Sequence, residues 1–283
     1  MTTGEHGSLI AQSALHALEG GPPLLVMTVV DDGFDLPVAI GAKLCIVEGR
    51  GEQIGSTGNQ ILDQVLLDLG PTLLDRIRPD QAETVYIESS GTAEWLVHTR
   101  RSKSGPKIGK VMVQVFKASP RLLIVGAGHV ALALARVADI AHFDVVVTDD
   151  RSSFANEERF PMASQIVVEE PALAIPKLMN QADTYIVLVS RGHRLDEEGL
   201  RCALTTNAKY VGMIGSQRRT QTVLRHMAEE GYDRDALGSV STPIGLDLGG
   251  ESPEEIAISI VAEILMLRNG ASGKRLRGAL KVG

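Results

Sequence analysis

A glycine-rich turn near the middle of the chain has the residue types that bind a phosphate. Gly126, Gly128 and Ala131 follow the spacing G-x-G-x-x-A directly after the apolar run 122–125. In the dinucleotide-binding fingerprint the first glycine makes a tight turn, the second lets a pyrophosphate approach, and the small third residue lets the helix pack closely on the strand. Free N–H groups at the start of that helix attract the anion. We expect this turn to bind a cofactor, with His129 lining the pocket or contacting the ligand.

An acidic pair stands where the same fingerprint places its ribose-binding carboxylate. Asp149 and Asp150 end the strand-like run 145–148, about 20 residues after Gly128. We therefore expect Asp149 to contact a ribose or pterin hydroxyl. Arg151 suits the 2′-phosphate of NADP, but the two carboxylates repel such a phosphate. The sequence leaves NAD and NADP both open, and the alternative is a similarly shaped turn that binds nothing.

A histidine and a carboxylate follow another strand of this half. His193 and Asp196 come after the strand-like run 184–189, and open parallel sheets bind ligands at the carboxyl ends of their strands. The spacing fits a catalytic acid/base pair in which the carboxylate orients the imidazole. The alternative is that His193 is a loop residue and Asp196 is the N-cap of the next helix.

A further strand, 209–214, ends at residues that suit an anion. Gly215 and Ser216 begin a helix that carries Arg218 and Arg219. Hydroxyl and guanidinium groups bind phosphate, although basic residues on a solvated helix face are equally expected. We include Gly215 and Ser216 among the cofactor-binding residues.

The glycine-rich loop 243–251 contains another candidate ligand contact, Asp247. Asp247 and Glu251 carry oxygen ligands that magnesium prefers, but two carboxylates alone do not specify a metal site. We assign Asp247 to cofactor binding and predict no metal.

These residues are positioned by a regular alternation of strands and helices. Strands are predicted at 122–125, 144–148, 184–189 and 209–214, and helices at 129–141, 172–181, 196–206, 216–230 and 253–268. Such alternation specifies a parallel sheet that is covered by helices on both faces. We predict a Rossmann-like α/β domain over 119–270 and a basic tail over 271–283.

The preceding residues, 1–118, predict a smaller α+β domain with a mixed or antiparallel sheet. Helices are predicted at 8–18 and 59–69, and strands at 24–30, 44–47, 84–88, 94–98 and 111–116. The second helix is expected to end at Gly70 and Pro71, because both residues disfavour a helix interior.

Composition and charge argue against several protein classes. The net charge of −7 argues against nucleic acid as the main partner. Two cysteines, Cys45 and Cys202, form neither a disulfide framework nor a spaced zinc pattern, which favours a reducing cytoplasmic compartment. The start of the chain lacks a signal-peptide pattern, and no apolar run reaches about 18 residues. We expect neither secretion nor a membrane span.

With these motifs in order, the sequence resembles the xanthine dehydrogenase accessory factor family of the XdhC/CoxI type. In the second half the resemblance rests on LLIVGAGHVALALARVA, VVVTDDRSSFANEERFP, VSRGHRLDEEGL, YVGMIGSQRR and PIGLDLGGESPEEIAISIVAEI. In the first half it is thinner and rests on IGAKLCIVEG and IGSTGNQILDQVL.

The resemblance implies an accessory protein, or chaperone, for a molybdenum hydroxylase. Proteins of this family bind molybdenum cofactor, aid its sulfuration, and help to insert it into a xanthine dehydrogenase-like or carbon monoxide dehydrogenase-like apoenzyme. They combine an N-terminal α/β domain with a Rossmann domain, often as a homodimer. By resemblance, the motif positions are Gly126, Gly128, His129, Asp149, Arg151, His193, Gly215 and Asp247.

The first domain departs from the family pattern. The family commonly has G-S-x-G-G-G-C-L-E, whereas residues 55–63 read GSTGNQILD, and a second C-G-G motif is absent near 108–110. A thiolate is the natural soft ligand for molybdenum or a sulfur carrier. The missing cysteines argue against direct sulfuration or molybdenum ligation by this chain.

Two other functions stay open beside the accessory role. One is an NAD(P)-dependent oxidoreductase in which His193 and Asp196 act as acid and base. The other is a protein-interaction module with a vestigial Rossmann fold. The ligand is thus either molybdenum cofactor (molybdopterin) or NAD(P), and the sequence leaves open whether the chain catalyses a reaction.

Overall fold

The computed structural model divides the chain into two compact units, Met1–Ala118 and Ser119–Gly283. The residues that it describes are 3–31, 33, 37–49, 52–77, 82–89, 95–98, 108–179, 183–190 and 192–276. Within these ranges no helix has both the length and the apolar character needed to cross a membrane.

In the described part of the first unit, six strands form one antiparallel sheet. The strands are β1 (Leu24–Asp31), β2 (Lys43–Val47), β3 (Glu52–Gly55), β4 (Ala82–Ser89), β5 (Trp95–His98) and β6 (Ile108–Phe116), in the order β3-β2-β1-β6-β4-β5. Helix α1 (Thr3–Leu18) and helix α2 (Gln60–Arg76) pack on opposite faces of this sheet, because the apolar residues of β1 alternate between the two. The antiparallel sheet of the predicted α+β domain is confirmed.

The prediction that α2 ends at Gly70 and Pro71 is wrong. The helix continues to Arg76 with Pro71 in its interior, although a proline there costs about 3 kcal/mol relative to alanine. The next turn buries Leu73 and Leu74, which are 2% and 9% exposed, and burying a leucine contributes about 1.5–3 kcal/mol. Packing on the sheet therefore outweighs the local preference.

Three short elements are missing from the sequence-based prediction. They are β3 in the first unit and, in the second, β9 (Gln165–Val167) and α7 (Arg234–Gly238). β3 has the sequence EQIG and lies at the edge of the sheet, where, among the described strands, it pairs with β2 alone. Segments of three to five residues are too short to show a periodic pattern, so tertiary pairing decides them.

The described residues of the second unit form a parallel five-stranded sheet in the order β11-β10-β7-β8-β9. The remaining strands are β7 (Arg121–Val125), β8 (Asp144–Thr148), β10 (Thr184–Leu188) and β11 (Tyr210–Met213). The chain moves outward from β7 through β8 to β9, then crosses to the other side of β7 for β10 and β11. This is the strand order of a Rossmann domain, and the predicted fold class is confirmed.

Helices cover both faces of the parallel sheet. They are α3 (His129–Ile140), α4 (Pro171–Leu178), α5 (His193–Ala203), α6 (Gln217–Glu229), α7 and α8 (Pro253–Arg268). α3 and α8 share a core that contains Leu122, Ile124, Leu134, Ile260 and Ile264. The opposite core contains Leu123, Val125, Ile175, Leu200 and Val223. Residues that alternate along β7 thus enter different cores, which explains why this strand reads as a continuous apolar run.

We predict that Pro71→Ala stabilises the first unit. Alanine restores a backbone donor in the middle of α2 and removes the steric penalty of the proline ring, so the free energy of unfolding should rise by about 1–3 kcal/mol. Urea unfolding followed by circular dichroism measures this change. Leu73→Ala is the matched control and should destabilise by about 2–5 kcal/mol. A loss of stability in Pro71→Ala would contradict our account of the helix.

Candidate functional site

The carboxyl ends of the parallel strands bring most of the predicted site residues to one edge of the sheet. The loops after β7, β8, β10 and β11 begin at Gly126, Asp149, Val189 and Ile214. The strand order reverses between β7 and β10, and crevices at such a reversal are where open α/β sheets bind ligands. The candidate site lies at this crevice.

The turn after β7 requires a glycine at its first position. Gly126 has φ +111°, a backbone conformation that strains other residues. A Cβ atom there would lie 2.7 Å from the carbonyl oxygen of Val189, so the turn and the end of β10 touch. The Gly126 N–H donates a hydrogen bond of 2.7 Å to the Thr148 carbonyl. Gly126 thus joins the ends of three neighbouring strands.

The second glycine faces open space at the beginning of α3. Gly128 is the N-cap of this helix, and no side chain among the described residues caps it. A Cβ atom on Gly128 would meet no atom of the described residues within 4 Å. Ala131 is fully buried, which lets the helix lie close to the sheet, and His129 is exposed. The first turn of α3 therefore offers uncapped N–H groups with room for an anion in front of them.

Asp149 occupies the position predicted for the ribose-binding carboxylate, but it is held by the protein. Its Oδ2 accepts hydrogen bonds from the Ala127 N–H at 2.8 Å and from Arg151 Nη2 at 2.9 Å. Its Oδ1 accepts from the backbone N–H and from Nε of Arg151, at 3.0 and 2.8 Å. The residue is 6% exposed. Asp149 thus ties the glycine turn to the end of β8.

The hydrogen bonds to Asp149 keep it ionised despite its burial. Burial by itself raises the pKa of this carboxyl, but the bonds from Arg151 and from the Ala127 amide outweigh it and lower the pKa to about 2. The Arg151 guanidinium in turn lies 3.7 Å from the centre of the Phe154 ring. The salt bridge raises the pKa of Arg151, so both partners stay charged.

Asp196 lies on α5, and its side chain belongs to a hydrogen-bond network beside the end of β10. It is 1% exposed and accepts hydrogen bonds from the backbone N–H and Oγ of Ser190, at 3.1 and 2.5 Å. Arg219 Nη2 reaches its other oxygen at 2.8 Å. The N-cap of α5 is Gly192, so the alternative that Asp196 is the N-cap is wrong. Its carboxylate joins the loop after β10 to α6.

The acid/base pair of His193 and Asp196 stays a prediction. His193 begins α5, but its side chain is outside the described part of the chain. Among the described residues, Ser190 and Arg219 donate hydrogen bonds to Asp196. These bonds give the carboxylate a positioning role.

Gly215 and Ser216 form the turn that leads from β11 into α6. A Cβ atom on Gly215 would lie 2.9 Å from Thr220 Cγ2, so a larger residue would push the turn away from the helix. Ser216 is the exposed N-cap of α6, and its Oγ accepts from the Arg219 N–H at 3.4 Å. Ser216 therefore caps its own helix.

The loop with Asp247 leaves the same edge of the sheet. Ser241 makes an isolated parallel β-bridge to Gly212 of β11 at the edge of the sheet. Beyond it, Glu263 anchors the loop by accepting from the Gly245 N–H at 2.9 Å and from the Tyr210 hydroxyl at 2.7 Å. Burial, followed by the bond to Glu263, raises the pKa of Tyr210. Asp247 itself is exposed, and no metal-ligating cluster occurs within the described residues.

Comparison with known proteins assigns the second unit to a protein family. The family model described as the XdhC Rossmann domain matches residues 122–264, about half of the chain. The chain belongs to the XdhC family. The match spans the glycine turn, Asp149, Asp196 and the turn at Gly215, so the family assignment covers the whole candidate site. The family predicted from the sequence motifs is confirmed.

Two relatives extend the similarity beyond the XdhC Rossmann domain. An Escherichia coli protein named Uncharacterized protein YqeB is 27% identical over 260 residues, which cover 89% of this chain and 44% of that protein. A Bacillus subtilis protein, named as a probable xanthine dehydrogenase subunit, is 31% identical over 160 residues, or 56% of this chain and 46% of that protein. The chain thus spans less than half the length of each relative.

A solved structure shares the fold. The crystal structure of a protein titled a xanthine dehydrogenase, from Bacillus halodurans, is similar with a TM-score of 0.52 at 20% identity. The match covers 94% of this chain and 96% of that one. At this identity the likeness concerns the fold.

Sequence reasoning missed the hydrogen-bond networks that hold the site of this XdhC-family chain together. It did not anticipate that Asp149 binds the Ala127 amide or that Asp196 joins Ser190 to Arg219. It also missed the anchoring role of Glu263, which is distant in sequence from Gly245. These partners meet only through strand order, and we find no sequence signal that would have identified them.

The two glycines of the turn should respond differently to substitution. We predict that Gly126→Ala destabilises the second unit by at least about 1–3 kcal/mol, because a positive φ and a backbone clash oppose the new Cβ. Gly128→Ala should change stability by about 0.5 kcal/mol or less, because its φ of −74° and the empty space in front of it accept a methyl group. Thermal unfolding of both variants measures the contrast, and equal losses would contradict the geometry.

The low pKa of Asp149 predicts a pH-dependent contribution to stability. A carboxyl whose pKa falls from 3.8 when unfolded to about 2 when folded stabilises the fold by about 2 kcal/mol above the unfolded value. This contribution disappears as the pH falls through the folded pKa. The stability difference between wild type and Asp149→Asn should therefore be constant above about pH 5 and shrink toward pH 2. Urea titrations across this range test it, and a pH-independent difference would contradict the salt bridge.

Proposed function

We propose that this chain is an accessory protein for the maturation of a molybdenum hydroxylase and that its Rossmann domain binds molybdenum cofactor. Membership of the XdhC family supports the proposal. So does the Bacillus subtilis relative, whose name as a probable xanthine dehydrogenase subunit suggests a xanthine dehydrogenase-like apoenzyme as partner. In this role the chain carries or presents the cofactor, and it does so as a homodimer.

The observation that carries the proposal is the open space in front of Gly128. An anion-binding helix start needs uncapped N–H groups and room for the ligand, and both are present at α3. Molybdenum cofactor ends in a phosphate, which this helix start would hold through charge-assisted hydrogen bonds. His129 and Ser216, both exposed at the same edge of the sheet, are available to contact the pterin.

The cysteines of the chain give no support to a direct role in sulfuration. Cys45 is fully buried, and burial raises the pKa of its thiol to about 11. Burial, assisted by the charge of Glu198, also raises the pKa of Cys202. Thiolates are the species that carry sulfur or ligate metals, so both cysteines stay protonated and unreactive at neutral pH. The proposed role is therefore binding and delivery.

An NAD(P)-dependent oxidoreductase is the second candidate. The fingerprint spacing and the strand order favour it, because both are those of dinucleotide-binding domains. Turnover distinguishes the two candidates, since an oxidoreductase consumes NADH or NADPH with a substrate, whereas an accessory protein binds its cofactor without turnover.

A substitution at Gly128 tests the proposed phosphate site. We expect molybdenum cofactor, released anaerobically from a purified molybdoenzyme, to bind the full chain in a fluorescence titration. Gly128→Asp should weaken that binding at least tenfold, because its carboxylate occupies the anion position and caps the helix itself. The same cap should leave the melting temperature unchanged or higher, so lost binding cannot be attributed to misfolding.

Gly128→Ala is the matched comparison: its methyl group enters the same space without a charge, so it should weaken binding, but less than Gly128→Asp does. Unchanged affinity in Gly128→Asp would refute the phosphate site. Steady oxidation of NADH or NADPH by the wild-type protein would favour the oxidoreductase instead.

A further inference from the structure

We infer that Asp149 is a positioning residue for the glycine turn and not a ribose-binding group, so that this site selects its ligand by phosphate and does not recognise ribose hydroxyls. The inference rests on the proposed function, since it concerns the same helix start. The inference goes further by naming the ligand class, which is a phosphate or diphosphate ester whose sugar makes no hydrogen bond to Asp149.

The first argument is the number of hydrogen bonds that Asp149 already accepts. An ionised carboxylate has about four acceptor positions. Arg151 fills both positions on Oδ1 through its backbone N–H and Nε, at 3.0 and 2.8 Å. The Ala127 N–H and Arg151 Nη2 fill those on Oδ2, at 2.8 and 2.9 Å. A ribose hydroxyl can bind this carboxylate only by displacing one of them.

The second argument is that none of these donors is easily released. Ala127 is fully buried, so its N–H would lose its partner without gaining water. Two contacts hold the Arg151 guanidinium. Its Nε donates to Asp149, and its central carbon lies 3.7 Å from the centre of the Phe154 ring. The free energy lost by displacing either donor exceeds the free energy gained from a ribose hydroxyl, because the hydroxyl is an uncharged donor and forms a weaker hydrogen bond.

The same contacts restrict recognition of a 2′-phosphate. Arg151 would bind a phosphate in a bidentate manner through Nε and Nη2. Both atoms already donate hydrogen bonds to Asp149. A 2′-phosphate would also meet the charges of Asp149 and Asp150. The site is therefore selective neither for the ribose of NAD nor for the phosphorylated ribose of NADP.

The test compares two ligands that differ only in the sugar hydroxyls. ADP and 2′,3′-dideoxy-ADP are titrated into the full chain by isothermal titration calorimetry. We expect their affinities for wild type to agree within about twofold, and Asp149→Asn to weaken both by the same factor, about tenfold, because the turn loses its anchor. A wild-type preference for ADP of tenfold or more, lost in Asp149→Asn, would overturn the inference.

A second measurement needs no ligand and separates this inference from the proposed function. Hydrogen exchange of the Ala127 amide, followed by NMR, should be slow in wild type and at least tenfold faster in Asp149→Asn. Asp150→Asn is the matched control and should leave it unchanged. Fast exchange in wild type would overturn the inference. Slow exchange together with no binding of ADP or molybdenum cofactor would refute the proposed function while the positioning role of Asp149 stands.

Discussion

The hydrogen bond from the Ala127 amide to the buried carboxylate of Asp149 is the contact on which the geometry of the site depends. It joins the turn after β7 to the end of β8, while the close approach of Gly126 to Val189 joins the same turn to the end of β10. The turn that leads into α3 is thus held on both sides, next to the crevice between β7 and β10. Backbone amides held in this way are preorganised, so they would need little rearrangement to bind an anion.

A second buried carboxylate does similar work on the other side of the crevice. Asp196 binds Ser190 at the end of β10 and Arg219 on α6, so it couples the loop beside the glycine turn to the helix after β11. Buried charges are costly unless they are paired and hydrogen-bonded. Each of these aspartates pairs with an arginine and accepts further hydrogen bonds, so a positioning role is compatible with their burial.

The second unit contains an XdhC Rossmann domain in which Asp149 is hydrogen-bonded within the protein. The helix after β7 begins where Rossmann domains bind a phosphate. Asp149, at the position where such domains bind the ribose, accepts from the Ala127 N–H and so holds the turn. These hydrogen bonds are the basis of our inference that Asp149 does not bind a ribose. In the first unit Cys45 is buried, and burial raises the pKa of its thiol to about 11, so the thiol stays protonated at neutral pH.

The sequence by itself determined the alternation of strands and helices in the second unit, the α/β fold class, the family and the position of the glycine turn between β7 and α3, because these depend on local periodicity and on glycines at fixed spacing. It did not determine the length of α2, where burial of Leu73 and Leu74 overrides Pro71, or the short elements β3, β9 and α7. Only the tertiary structure decided that Asp149 faces Ala127 and that Asp196 faces Ser190 and Arg219. The reason is physical: a hydrogen bond across neighbouring strands depends on their order in the sheet, and composition and spacing along the chain do not record that order.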